Sequence, residues 1–177
     1  MAIPSRHANP ASIISRARTF FVTSSTWGKR NLLQSDRAAE LFIKTLYEYR
    51  TQGKFTLHEF VVMPDHFHLL LTVGGDMTVE RAVQFVKGGF AFRAGKELGI
   101  RAPFWQKGFS EVRVLDTEHY AHTREYIRNN PVKRRLVVRA EDYPYSSGRP
   151  GRELDPPPQG LKPIVLILRD DKAEALS

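Results

Sequence analysis

The sequence predicts an α+β domain: a ferredoxin-like (split βαβ) antiparallel sheet with helices over one face. Three observations predict it. Apolar spacing switches between the two-residue period of strands and the 3.6-residue period of helices, in the order strand, helix, strand, strand, helix, strand, helix. Pro64-Asp65 leaves almost no chain between the second and third strands, which therefore pair as a close hairpin. Ser35 and Thr78 stand as helix N-caps ahead of the two long helical stripes.

Each element follows from local chemistry. Residues 1–15 are small and polar and read as a mobile start. Arg18 to Ser25 is rich in β-branched and aromatic residues and predicts a strand. Trp27-Gly28-Lys29-Arg30 is a turn with a basic tip. From Ser35 to Tyr49, apolar residues recur at Ala38, Leu41, Phe42 and Leu46 on one helical stripe, and Gly53 ends it. Lys54–Met63 and His66–Val73 predict the hairpin strands, closed by Gly74-Gly75. A helix runs from Thr78 to about Leu98, weakened by Gly88-Gly89, where it kinks or something comes close. Ile100–Ser110 is a loop mixing aromatic and basic residues, and Glu111–Leu115 a short strand. Thr117 caps a last helix that Pro131 ends, because the residue before proline resists helical geometry. Beyond it lie a basic amphipathic piece over 132–138, a turn cluster at Tyr143–Ser147, a stiff Pro156-Pro157-Pro158 and an unplaced strand candidate at Ile164–Leu168.

A chain of 177 residues suits one domain, placed at 1–150, followed by a linker and tail at 151–177. It has no cysteine, which removes disulfides, thiolate metal sites and cysteine nucleophiles, and fits a cytoplasmic setting. No run approaches the roughly 20 apolar residues of a membrane helix, and no signal-like core opens the chain. The net charge of +8 sits in the body: residues 151–177 hold four basic and five acidic side chains, leaving +9 for residues 1–150. A basic body favours a polyanionic partner, nucleic acid before membrane.

Function is concentrated in Phe60–Thr72, which reads F-V-V-M-P-D-H-F-H-L-L-L-T. On a strand, residues two apart share a face, so His66 and His68 point one way and Phe67 the other. Two such rings can reach one metal ion. On the last helix, positions four apart share a face, which lines up His122, Tyr126 and Asn130. A phenol, with an ordinary pKa of about 10, can serve as a nucleophile beside an activated phosphate. By spacing alone, the histidines fit a solvent-facing strand better than a metal site, and Tyr126 fits a half-buried helix tyrosine. His122 reads as a surface residue and Asp65 as a turn residue.

Taken together, Met63-Pro64-Asp65-His66-Phe67-His68, then Tyr126-Ile127-Arg128-Asn129-Asn130-Pro131-Val132-Lys133, then Tyr143-Pro144-Tyr145-Ser146-Ser147 resemble the REP-associated tyrosine transposases. These are relatives of the single-tyrosine HUH transposases. The resemblance covers about residues 16–148 and implies a metal-dependent single-stranded DNA endonuclease and strand transferase acting near hairpin repeats. It implies that Tyr126 attacks a phosphate and stays joined to the 5′-phosphate. It further implies that His66, His68 and Asn130 hold Mg²⁺ or Mn²⁺, Asn130 standing where related transposases can carry a glutamine. Imidazoles by themselves favour softer ions such as zinc, so the choice of ion rests on the resemblance and on phosphate oxygens as further ligands. Lys87, Arg124, Arg128, Lys133, Arg134 and Arg135 are the expected phosphate contacts, and Trp105 an expected base-stacking residue. The expected partner is single-stranded DNA with a REP-like hairpin, bound by a monomer or a homodimer, at the nucleoid. Two other classes stay open: a catalytically silent binder of structured single strands, and a zinc hydrolase acting on a small substrate.

Overall fold

A computed structural model of the chain describes residues 17–163. The elements appear in the predicted order: β1 Arg18–Ser25, α1 Asp36–Thr51, β2 Thr56–Met63, β3 His66–Val73, α2 Val79–Leu98, β4 Ser110–Val114 and α3 Thr117–Lys133. The sheet order is β2-β3-β1-β4, with every neighbouring pair antiparallel. Each crossover helix therefore joins two strands that flank a third, which is the split βαβ arrangement. The polar start at 1–15 and the strand candidate at Ile164–Leu168 lie outside the described residues.

Strand alternation sorts the side chains into two layers. Phe20, Val22, Phe60, Phe67 and Leu69 pack with Phe42 of α1 and Val86 and Phe90 of α2. On the reverse face Val61, Met63 and Leu70 pack with Tyr120 and Ile127 of α3. The two helices of the β-α-β-β-α-β repeat thus cover one face, and the helix that follows it lies across the other. Phe67 is fully buried between Phe42 and Trp105, a burial worth roughly 2–3 kcal/mol. A one-residue slip of β3 would drive that ring into the α3 layer and set both histidines among the phenylalanines, so the register is strongly specified.

Ser35 and Thr78 cap their helices as expected, accepting from Ala38 N and Arg81 N. The last helix departs from expectation at both ends. Its cap is Asp116, whose carboxylate accepts from His119 N at 2.8 Å, so Thr117 is the first helical residue. Aspartate and threonine are both good caps, and the spacing does not choose between them. Nor does Pro131 end the helix, which continues to Lys133. The proline lies in the final turn, where it forfeits only its own N–H bond. Its carbonyl accepts from Leu136 N, and Val132 O accepts from Arg135 N. These paired bonds close the helix in a Schellman motif with Arg135 left-handed at φ 57°, a position that usually takes glycine.

A bulge between Leu57 and Glu59 lets consecutive residues of β2 leave the strict alternation. Leu57 stays in the helical layer, while His58 and Glu59 both turn toward α3. The turn cluster at Tyr143–Ser147 runs along the outer edge of β2: Val62 N donates to Tyr145 O and Ser147 N to Phe60 O. Asp155 extends this cover, exchanging bonds with the Leu57 backbone and receiving a bidentate guanidinium from Arg50. Lys162 pairs with Leu115 and Thr117. The proline-rich stretch is thus fastened to the domain through at least Lys162.

Gly88 and Gly89 differ sharply. A Cβ on Gly88 would meet nothing within 4 Å, whereas one on Gly89 would stand 2.5 Å from the Tyr49 hydroxyl oxygen of α1. The close approach is therefore between two helices of the same domain at Gly89. Gly88→Ala should raise the urea-unfolding free energy by about 0.5–1 kcal/mol, the helix-propensity gain. Gly89→Ala should lower it by about 1–2 kcal/mol despite the same gain, because the Tyr49 ring has to move.

Candidate active site

The β2–β3 hairpin builds the first half of the site. His66 and His68 are both buried, with ring centroids 4.8 Å apart on the face turned from Phe67. The hairpin tip is pinned where Thr26 N donates to Asp65 O and Leu33 N to Pro64 O. Each ring is oriented through Nδ1: His66 to the Asp65 carboxylate at 2.6 Å, and His68 to the Thr23 hydroxyl at 2.7 Å. A ring whose Nδ1–H donates keeps its Nε2 lone pair for a ligand, the usual outer-shell arrangement of a metal-binding histidine. Burial, and then the positive charge near His66 and Arg134, push the His68 pKa down to about 3. Burial also lowers His66, against the opposing pull of Asp65. Both imidazoles are neutral at pH 7, the protonation state that binds metal.

α3 supplies the second half. Asn130 is buried and its amide nitrogen lies 3.2 Å from His68 Nε2, while its amide oxygen is buried without a hydrogen-bond partner. A buried polar atom left unpaired in this way is uncommon and calls for a ligand. One turn earlier, the Tyr126 ring stands 5.4 Å from His68 and 5.7 Å from Phe21, and is 40% exposed. The Lys133 ammonium sits 4.8 Å from the Tyr126 ring centroid. The donor set is two imidazoles and an amide oxygen. Among the described residues no group of three His, Cys, Asp or Glu converges. These residues fit a divalent cation that takes its remaining ligands from water or phosphate. They fit zinc less well, which favours a third strong protein ligand.

The remaining expected contacts divide by position. Arg134 and Arg135 are exposed at the end of α3, and Arg134 is close enough to depress both histidines. Arg124 and Arg128 each direct Nε to Glu59 Oε2 at 3.0 Å, with side chains 35% and 43% exposed. Lys87 and Trp105 lie with the helical layer, away from the histidine face. The Trp105 ring packs on Phe42, Phe67, Phe90 and Phe104, and its indole N–H donates to Lys87 O. The Lys87 ammonium donates to Gln106 O and Gly108 O. Together these two residues pin the 104–109 loop to α2.

Four residues of the site were not expected from sequence. Asp65 adjoins His66, and a carboxylate beside a candidate ligand is itself a signal. Glu59 is a charge inside an apolar strand, a second signal. Thr23 and Phe21 depend on the β1–β3 register, Thr23↔His68, which spacing does not reveal.

A histidine held neutral by burial binds fewer protons folded than unfolded, so stability rises with pH between the two pKa values. For His68 that window runs from the unfolded value of about 6.5 down to about 3. Chelator-treated protein should lose about 2 kcal/mol of stability from this residue between pH 7 and pH 5. Thermal unfolding of His68→Gln should show a correspondingly flatter pH dependence.

The fold agrees with comparisons to known proteins. The chain is 25% identical over 141 residues to the REP-associated tyrosine transposase of Escherichia coli strain K12, covering 76% of this chain and 82% of that one. It superposes on a solved structure of a REP-associated tyrosine transposase bound to a REP hairpin with a TM-score of 0.64, at 24% identity and 82% coverage of both chains. The family model described as transposase IS200 like matches residues 21–130, from the strand beside the histidines to the asparagine below them, and the chain belongs to the IS200-like transposase family.

Proposed function

We propose that this protein is a metal-dependent endonuclease and strand transferase for single-stranded DNA, with Tyr126 as the nucleophile and His66, His68 and Asn130 as metal ligands. One observation carries the reading: an exposed phenol lies against a buried, neutral imidazole, and the asparagine whose amide nitrogen meets that imidazole keeps its buried amide oxygen unpaired. His66, His68 and Asn130 would hold Mg²⁺ or Mn²⁺, whose chemistry when bound would be to polarise the scissile phosphate and offset charge in the transition state. Tyr126 Oη attacks phosphorus, the P–O3′ bond breaks, the phenolic proton leaves to solvent, and the 3′-oxygen departs and takes up a proton. The enzyme remains joined to the 5′-phosphate until a 3′-hydroxyl reverses the step, which is strand transfer. Asp65 and Thr23 orient the imidazoles. Lys133, Arg134 and Arg135 line the approach to Tyr126 with positive charge and bind backbone phosphates. Arg124 and Arg128 retain terminal guanidinium nitrogens for the same purpose.

The substrate is a single strand carrying a hairpin, in keeping with the DNA of the structural relative, and action on genomic repeats puts the protein at the nucleoid. Lys87 and Trp105 serve this reading indirectly, by holding the 104–109 loop.

Tyr126→Phe should abolish the covalent protein–DNA species formed with hairpin DNA and Mn²⁺ while leaving hairpin affinity within about twofold. A Phe variant that still forms it overturns the assignment. Hairpin binding should weaken steeply with salt, the slope reporting the number of phosphates contacted. Arg135→Gly separates binding from folding. It should raise stability by about 1 kcal/mol by relieving the left-handed backbone, while the salt slope falls by about 0.7–0.9.

A further inference from the structure

We infer that Glu59 is a positioning residue for the Tyr126 helix: its buried carboxylate fixes the roll of α3 about its own axis and so holds the phenol over His68. The inference rests on the nuclease reading above. Glu59 is fully buried. The β2 bulge turns it toward α3, where one carboxylate oxygen receives Arg124 Nε and Arg128 Nε, each at 3.0 Å. The other oxygen receives the Ser147 hydroxyl, which is itself held by Phe60 N at 2.8 Å.

On a helix, Arg124 and Arg128 form one stripe, Tyr126 and Asn130 another, and buried Thr123 and Ile127 the ridge between them. Glu59 therefore grips one flank of α3 while the reacting groups occupy the other. On the reacting flank the directional contact to the sheet is the Asn130–His68 hydrogen bond. That bond is given up when these groups turn to a shared cation. The ridge contributes apolar packing, which is strong and non-directional. With Asn130 engaged elsewhere, Glu59 is what resists rotation. A roll of about 10° moves an atom at the helix's outer radius of roughly 6 Å by about 1 Å, and a misplacement of that size can cost roughly 100-fold in rate. Stability alone does not explain the charge, since a buried ion pair is often no better than an apolar replacement.

The test is Glu59→Gln, which keeps the volume, measured in two ways. At saturating hairpin DNA and Mn²⁺, the rate of covalent-complex formation should fall roughly 10–100-fold, while hairpin affinity stays equal or tightens, because a negative charge has been removed. The chain has no cysteine, so spin labels at Glu125→Cys and Val112→Cys are unique. Their distance distribution should broaden in Glu59→Gln. An unchanged distribution, or an unchanged rate, overturns the inference. If wild-type protein forms no covalent species yet the distribution broadens, the nuclease reading fails while the grip on α3 stands. Should Glu59→Gln fail to fold, Ser147→Ala removes one hydrogen bond from the carboxylate without touching a phosphate contact and should shift both readouts in the same direction by less.

Discussion

The structure depends on β3 being buried on both faces. A strand sandwiched in this way cannot slip, because every second residue is committed to a different layer. Phe67 anchors one layer among aromatic rings, and that anchor aims His66 and His68 at the other. The flanking strands then complete the site without choosing its direction. β2 delivers Glu59 to α3, and β1 delivers Thr23 to His68 and Phe21 to Tyr126. The precision of the histidine pair is thus a product of core packing.

Charge is arranged in two tiers around that pair. Nearest the sheet, positive charge is neutralised: two guanidiniums of α3 share the Glu59 carboxylate. At the end of α3, Lys133, Arg134 and Arg135 are exposed and have no carboxylate on them among the described ion pairs. Burial is the main reason the histidines stay unprotonated, and the charge of Arg134 adds to it. The same end of α3 thus helps to prepare imidazoles for a cation and offers a surface to an anion. A phosphate bound between them would offset both.

Much of this was legible in the sequence. The order of elements, two of the three helix caps and the opposed directions of Phe67 and the histidines follow from periodicity and cap chemistry, which are local. The meeting of Tyr126 and Asn130 with the histidines, some sixty positions away, came from the resemblance and not from spacing. What escaped was non-local or degenerate. Asp116 and Thr117 are equivalent as caps until the backbone is seen. Pro131 stops a helix in general, but its position in the final turn makes it cheap here. Trp105 in its loop and Lys87 on α2, aromatic and basic, have the composition of a nucleic-acid contact. The packing adds what spacing does not show, a ring half-buried against the core and an ammonium on loop carbonyls. The Glu59 network needed the bulge, the last helix and the 143–147 segment at once.

The segment from Tyr143 to Asp155 has a consequence for assembly. By occupying the outer hydrogen-bonding edge of β2, it leaves the sheet, among the described residues, with one closed side and one side ending in β4. A sheet open on both sides can add neighbours indefinitely. One closed on a side can join a second sheet once and then has no edge left to offer. Growth by strand pairing through these edges therefore terminates at a pair, so a basic, strand-rich protein can crowd along DNA without its sheets fusing into fibres.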